Sequence, residues 1–145
     1  INVTDMSGMF SGCSNLSKLN ISNFNTSKVE NMNSMFFYCE NIENLNLDNF
    51  NTSNVTDMTF MFSGCSKLSK LNVSNFNTSK VENISYMFFG CKNIENLNLD
   101  NFNTGNVTDM RGMFNTCSNL LDIDMSNFNT INVTDMYEVF SVVLV

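Results

Sequence analysis

A 26-residue repeat runs the length of this 145-residue chain. The copies follow one another without insertion or deletion, and each begins at a valine. The five full copies start at Val3, Val29, Val55, Val81 and Val107, and a partial sixth starts at Val133. A fixed period of this length is typical of arrays in which every copy is one small supersecondary unit. Residues 1–145 are therefore predicted to form a single array.

Each repeat combines two apolar periodicities. In the first copy, Val3, Met6 and Phe10 have the spacing of one face of a short helix, and Gly12 follows where such a helix would end. Residues 19–21 (Leu-Asn-Ile) alternate apolar and polar side chains, which predicts a short strand. Each apolar position recurs every 26 residues, so each side chain is expected to stack on its own copies.

These patterns predict an α/β repeat solenoid of the leucine-rich-repeat type. Parallel short strands would form a sheet on one face, with short helices or turns on the other. One repeat alone has too few apolar side chains to offset the entropy lost when its backbone is ordered. Stability is therefore expected to come from neighbouring repeats that cover each other.

The composition argues against several functions. The chain has 14 acidic and 7 basic residues and a net charge of −7, which disfavours binding to nucleic acid and to anionic membranes. No apolar run is long enough to insert into a membrane. There is no histidine, and no nucleophile–base pair or phosphate-binding loop, so we expect neither an enzyme nor a bound cofactor. The chain begins with Ile1, which is interpreted as a mature or excised piece.

The repeats also alternate in charge. Lysines such as Lys18 and Lys70 lie in odd-numbered copies, whereas even-numbered copies are rich in acidic residues such as Glu43. Identical charges one repeat apart would repel each other. The alternation is therefore interpreted as charge relief between neighbouring copies, each exposed pair contributing little.

The pattern Phe-x-x-Cys-x-x-Leu-x-x-Leu-x-Leu, as in residues 36–47 with Ile42 at the first leucine, resembles a known family. It is similar to the treponemal-type leucine-rich repeats of BspA-like bacterial surface proteins, in particular the branch found in mycoplasma lipoproteins. The absence of proline after the strand favours that branch. The resemblance implies an extracellular or cell-surface array of bacterial origin that serves adhesion or protein binding. It carries no shared functional residues.

Four polar or thiol columns are candidates for chemistry. Cysteine recurs once per repeat without a Cys-x-x-Cys pair, so a buried thiol column is expected in preference to disulfides or a metal site. The aspartates represented by Asp57 are interpreted as helix caps in preference to calcium ligands. The threonines represented by Thr78 are a poor match for an ice-binding surface, and the asparagines are expected to hydrogen-bond as stacked amide ladders.

The best candidate binding surface is the polar side of the predicted strands, whose side chains should face outward. Its residues recur at two positions of the repeat: Lys18, Asn20, Asn44, Asn46, Lys70, Asn72, Asn96 and Asn98.

The ends of the array suggest an alternative function. The repeat pattern breaks off after Phe140, and Val143 stands where the cysteine column would continue. The chain is expected either to be a fragment of a longer array or to stack end to end on other copies as a fibre or surface layer. The last residues are also candidates for a strand that covers the final repeat. The partner is thus predicted to be another protein or a second copy of the chain.

Overall fold

The computed structural model describes residues 2–141, in which successive repeats stack on one another in register. The strands β1 (Asn44–Leu45) and β2 (Lys70–Leu71) pair in parallel, with Asn44 opposite Lys70. A single parallel bridge between Asn96 and Asp122 lies at the same position of the repeat. Parallel pairing with an offset of one repeat agrees with the sequence prediction.

The strands are shorter than predicted and begin one residue earlier. The alternation predicted strand at the positions of residues 45–47, but β1 ends at Leu45. The reason is the next side chain: Asn46 Oδ1 accepts a hydrogen bond from the backbone N–H of Asp48 at 2.9 Å. This contact folds the chain into a turn, which competes with continued strand pairing.

Of the short helices or turns predicted opposite the strands, the structure has turns, and residues 2–141 contain no α-helix. In the second repeat, Met35 N–H donates to Met32 O of the same repeat at 3.3 Å. The next N–H, that of Phe36, instead donates to Met61 O of the following repeat at 2.9 Å. An α-helix would keep all of these donors within one segment. Here the N–H groups donate alternately within their own repeat and to the next repeat. The segment is therefore a series of turns that also hydrogen-bonds to the neighbouring repeat.

The turns require two left-handed backbone positions in each of the first five repeats. Glycine occupies many of them, including Gly12, Gly64 and Gly90, which were predicted to stop a helix. The first position is filled by Gly8, Ser34, Phe60, Tyr86, Gly112 and Glu138, and the second by Gly12, Tyr38, Gly64, Gly90 and Thr116. The glycines thus have the backbone geometry of a helix stop, but they belong to turns.

The aspartate column caps these turns. Asp57 Oδ1 accepts the backbone N–H of Thr59 at 2.8 Å, and Asn83 Oδ1 accepts that of Ser85 at 2.9 Å. The prediction of helix capping was therefore wrong, because residues 2–141 contain no helix and these side chains cap turns. The backbones of the same column form parallel bridges from Asp5 to Asp135, one between each pair of neighbouring repeats.

The interior consists of columns of identical or similar apolar side chains. The Phe62 ring lies between those of Phe36 and Phe88, with centroid separations of 5.7 and 5.6 Å and nearly parallel planes. All three rings are fully buried. The repeat therefore determines the core directly, because equal spacing in sequence places equal side chains in contact.

The first and last repeats are less covered. Met9 is 49% exposed and Phe140 is 56% exposed, whereas their counterparts Met35 and Phe114 are buried. The predictions made for Val143 and for a covering strand formed by the last residues lie outside residues 2–141.

Candidate functional site

The eight residues predicted as a binding surface all have exposed side chains, and we call their surface the strand face. Two shallow hollows lie along it. One, of about 370 Å³, contains Lys18, Asn44 and Asn46. The other, of about 420 Å³, contains Asn44, Lys70 and Asn72 together with Asp48. Five of the predicted residues therefore line two adjoining hollows that share Asn44 and Asn46.

Half of the strand face is engaged in structure. Asn72 Oδ1 accepts the backbone N–H of Ser74 at 3.0 Å, and its Nδ2 donates to Asp48 Oδ1 at 3.1 Å. Asn20, Asn46 and Asn98 make the same contact to the backbone two residues ahead. The prediction that these amides stack into a ladder was wrong, because each amide oxygen bonds within its own repeat.

The other half of the strand face has free side chains. Within residues 2–141, the side chains of Lys18, Asn44, Lys70 and Asn96 make no hydrogen bond, and neither lysine pairs with Glu43. The ion pairs of the described residues are instead made by Arg111, to Asp109 at 2.6 Å and to Asp135 at 3.5 Å. The charge alternation thus brings Lys18 and Glu43 to the same hollow without joining them.

Amide contacts between repeats occur in a column that the sequence analysis did not single out. Asn75 Nδ2 lies 3.1 Å from Leu47 O and 3.2 Å from both Asp48 O and Phe50 O of the preceding repeat. Asn127 repeats this arrangement two copies later. The strict recurrence of asparagine after the strand was a signal that could have identified this contact.

The threonine column joins the repeats from inside. Thr78 is buried, its hydroxyl donates to Asn103 O at 2.9 Å, and it accepts the Asn103 N–H at 2.7 Å. The hydroxyl thereby both donates and accepts a hydrogen bond between repeats, as a backbone peptide group would. Thr26, Thr52 and Thr104 do the same. Burial of these threonines rules them out as an ice-binding surface.

The cysteine column is an interior column. Cys39, Cys65, Cys91 and Cys117 are buried free thiols, whereas Cys13 in the first repeat is exposed. The Cys65 Sγ donates to Phe36 O of the preceding repeat at 3.1 Å. Burial raises the pKa of Cys39 to about 11 and the pKa of Cys65 to about 12. Such thiols stay protonated at neutral pH and are poor nucleophiles.

A second surface feature escaped the sequence analysis. Five aromatic side chains from the second to the fourth repeat touch in series on the turn segments: Tyr38, Phe37, Phe60, Tyr86 and Phe89. We call this series the aromatic ridge. Ring centroids of successive members are 4.5 to 5.9 Å apart. The ridge was overlooked because its members fall at three positions of the repeat where other copies carry non-aromatic residues, so no unbroken aromatic column marks it in the sequence.

Residues 2–141 contain neither a candidate metal site nor a membrane-spanning helix. No group of three or more histidine, cysteine, aspartate or glutamate side chains is placed to hold a metal ion there. None of the described segments forms a helix with the length and apolarity required to cross a bilayer.

The stacked copies and their shared columns define a protein built from tandem repeats. A family model described as "Mycoplasma protein of unknown function, DUF285" matches the chain twice, over residues 1–96 and 65–143. The two matches overlap and together reach all but the last two residues, so the chain belongs to this family. No curated protein and no solved structure matches it.

Proposed function

We propose that this chain is a non-enzymatic, leucine-rich-repeat-like solenoid that binds other proteins outside the cell, through its strand face. The observation that carries the proposal is the pair of hollows around Asn44. Lys18, Asn44 and Lys70 are exposed there, and their side chains have no hydrogen-bond partner within residues 2–141. These side chains differ between neighbouring copies, whereas the interior columns stay apolar. Variable polar groups on a fixed frame are suited to selective recognition of a protein surface.

The proposed location rests on the resemblance to BspA-like bacterial surface proteins and their mycoplasma relatives. Trypsin added to intact bacterial cells tests it, because the exposed Lys18, Lys67 and Lys70 are cleavage sites. We expect peptides of this chain to be released while a cytoplasmic marker stays intact. Release only after lysis would contradict a surface location.

The binding site is tested with a matched pair of variants. Substitution of Lys18, Asn44 and Lys70 by alanine should weaken binding to any extracellular-matrix protein that the unmodified chain captures from a purified panel, measured by biolayer interferometry. The control substitutes alanine for the exposed Lys28 and Lys67, which lie outside both hollows. It removes the same amount of positive charge as the triple variant. Equal loss in both variants would indicate a general charge effect. Unchanged binding in the triple variant would place the site elsewhere.

A second candidate function is end-to-end self-association into a fibre or surface layer. It is favoured by the exposed apolar side chains of the outermost repeats, Val3 and Met9 at one end and Met136 and Phe140 at the other. In the interior the same columns stack on one another, so a second copy is a suitable cover. Sedimentation velocity over a range of concentrations should then show association that Phe140→Asp reduces. A monomer at all concentrations would exclude this function.

A further inference from the structure

Two tyrosines of the aromatic ridge lie directly over glycines of the following repeat. A Cβ added to Gly64 would lie 3.0 Å from the Tyr38 ring, and a Cβ added to Gly112 would lie 2.4 Å from the Tyr86 ring. Both distances are shorter than ordinary van der Waals contact. In the turn segments, these two aromatic rings therefore pack directly against a glycine backbone.

These tyrosines occupy unfavourable backbone positions. Tyr38 has φ 54° and Tyr86 has φ 56°, in the left-handed region that bulky residues avoid. At the position of Tyr38, the first, third and fourth repeats carry glycine, which adopts this geometry without strain. Strained residues that persist in a fold cluster at functional sites. Tyr38 is also 44% exposed, so burial of its ring does not explain why it is there.

Gly90 has the same left-handed backbone, but no aromatic ring of residues 2–141 lies over it as Tyr38 lies over Gly64. The nearest atoms to a Cβ at this position are Gly64 Cα at 3.7 Å and Thr116 Oγ1 at 3.8 Å. Gly90 lies in a hollow of about 400 Å³ that Tyr38 and Phe89 also line. We call this the turn-face hollow. It shares no residue with the two hollows of the strand face.

Two opposite charges lie in the same hollow. Glu40 and Lys92 line it from equivalent positions of the second and fourth repeats, with Ser66 at that position between them. Two repeats correspond to about 10 Å at the usual spacing of neighbouring strands. Neither side chain forms an ion pair within residues 2–141. An extended peptide advances ~3.3 Å per residue, so three residues bridge this distance.

We propose that the turn-face hollow binds an extended peptide segment of a partner protein. An aromatic side chain of the peptide lies over Gly90, as Tyr38 lies over Gly64. An acidic residue beside it pairs with Lys92, and a basic residue toward the other end pairs with Glu40. This site is separate from the strand face and does not depend on it.

The test uses peptides of equal length and net charge. An N-acetylated, C-amidated Lys-Gly-Phe-Glu peptide is titrated into the ¹⁵N-labelled chain and compared with Glu-Gly-Phe-Lys and Lys-Gly-Leu-Glu. We expect the first peptide to shift the amide signals of Gly64, Gly90 and Lys92 at millimolar concentration and to bind more tightly than the other two. Equal binding of all three peptides, or no shifts at these residues, would overturn the proposal. Shifts at these residues with a neutral oligosaccharide but with none of the peptides would also overturn it.

Two variants define the contacts. Lys92→Glu should weaken binding of Lys-Gly-Phe-Glu about fivefold, as expected for the loss of an exposed charge pair. Lys67→Glu makes the same charge change outside the hollow and should leave binding unchanged. Tyr38→Gly suits the left-handed backbone, so the chain should stay folded by circular dichroism while the peptide no longer binds. Unchanged affinity in Lys92→Glu, or equal weakening by Lys67→Glu, would refute the proposed pairing.

Discussion

The strand face and the turn segments are made by the same 26 residues but hold the repeats together differently. Across the turn segments, four backbone N–H groups of each of the first five repeats donate to the next repeat, for example Met58, Phe60, Phe62 and Gly64 in the third. On the strand face, regular strand pairing is limited to two residues in each of β1 and β2. Most backbone cohesion between repeats therefore comes from turns, while the strand face leaves side chains available for other contacts.

The difference has a backbone cause. Left-handed positions let the turn segments direct alternate N–H groups toward the next repeat, as Phe60 and Phe62 do to Ser85 O and Met87 O. On the strand face, asparagine oxygens satisfy the local N–H groups within the same repeat. Substitutions that disturb the left-handed backbone of the turn segments should therefore lower stability more than those that remove a side chain from the strand face.

The largest effect is expected for Gly112→Ala. The new Cβ would lie 2.4 Å from the Tyr86 ring. The alanine would also have to adopt the left-handed backbone that Gly112 has, with φ 57°. Together these should lower the free energy of unfolding by about 2–4 kcal/mol, measured by urea denaturation. Adding Tyr86→Gly removes the clash and should recover part of the loss. Strictly additive effects of the two changes would show that the ring does not need the glycine.

A smaller loss is expected for Thr78→Val, which keeps the shape of the side chain but removes the hydroxyl. Both the N–H and the carbonyl of Asn103 then lose their partner in a buried setting, at a cost of about 1–3 kcal/mol in the free energy of unfolding. Thr130→Val, at the exposed counterpart in the fifth repeat, is the control and should change it by less than about 0.5 kcal/mol. Equal effects at both positions would mean that the hydroxyl does not join the repeats.

Substitutions of engaged and of free side chains on the strand face should differ in their effect on stability. Asn72→Ala removes the cap on Ser74 and should lower the free energy of unfolding by about 1 kcal/mol. Asn44→Ala removes a side chain that has no hydrogen-bond partner within residues 2–141, and thermal denaturation should show almost no change. If Asn44→Ala were the more damaging of the two, the division of the strand face into engaged and free side chains would be wrong.

The smallest effects should come from the exposed cations. Lys70→Ala should leave stability unchanged at any salt concentration, because Lys70 makes no ion pair within residues 2–141. Arg111→Ala breaks the contacts to Asp109 and Asp135 and should destabilise slightly at low salt. That difference should disappear at high salt, where exposed ion pairs are screened. A persistent effect of Arg111→Ala at high salt would indicate a packing role for its side chain.

The sequence predicted the candidate strand-face residues as exposed, and all eight are. It could not predict that Asn46 is hydrogen-bonded while the Asn44 side chain has no partner within residues 2–141, since both are polar residues flanking the same leucine. This difference depends on where the Asn46 side chain points after β1 ends: its oxygen lies beside the Asp48 N–H. The turn-face hollow was invisible for a related reason: Tyr38, Phe89 and Lys92 come from different positions of two repeats.

By itself, the sequence determined the period, the parallel offset of one repeat and the columns of the interior, such as Phe36, Phe62 and Phe88. Equal spacing along the chain requires equal neighbours in space, so these features follow without coordinates. Only the tertiary structure decided between helix and turn for residues such as 32–38. Apolar spacing is compatible with both, and the choice depends on whether each N–H finds its acceptor in its own repeat or in the next. The left-handed positions direct alternate N–H groups to the next repeat, and they also place Gly64 and Gly112 against the rings of Tyr38 and Tyr86.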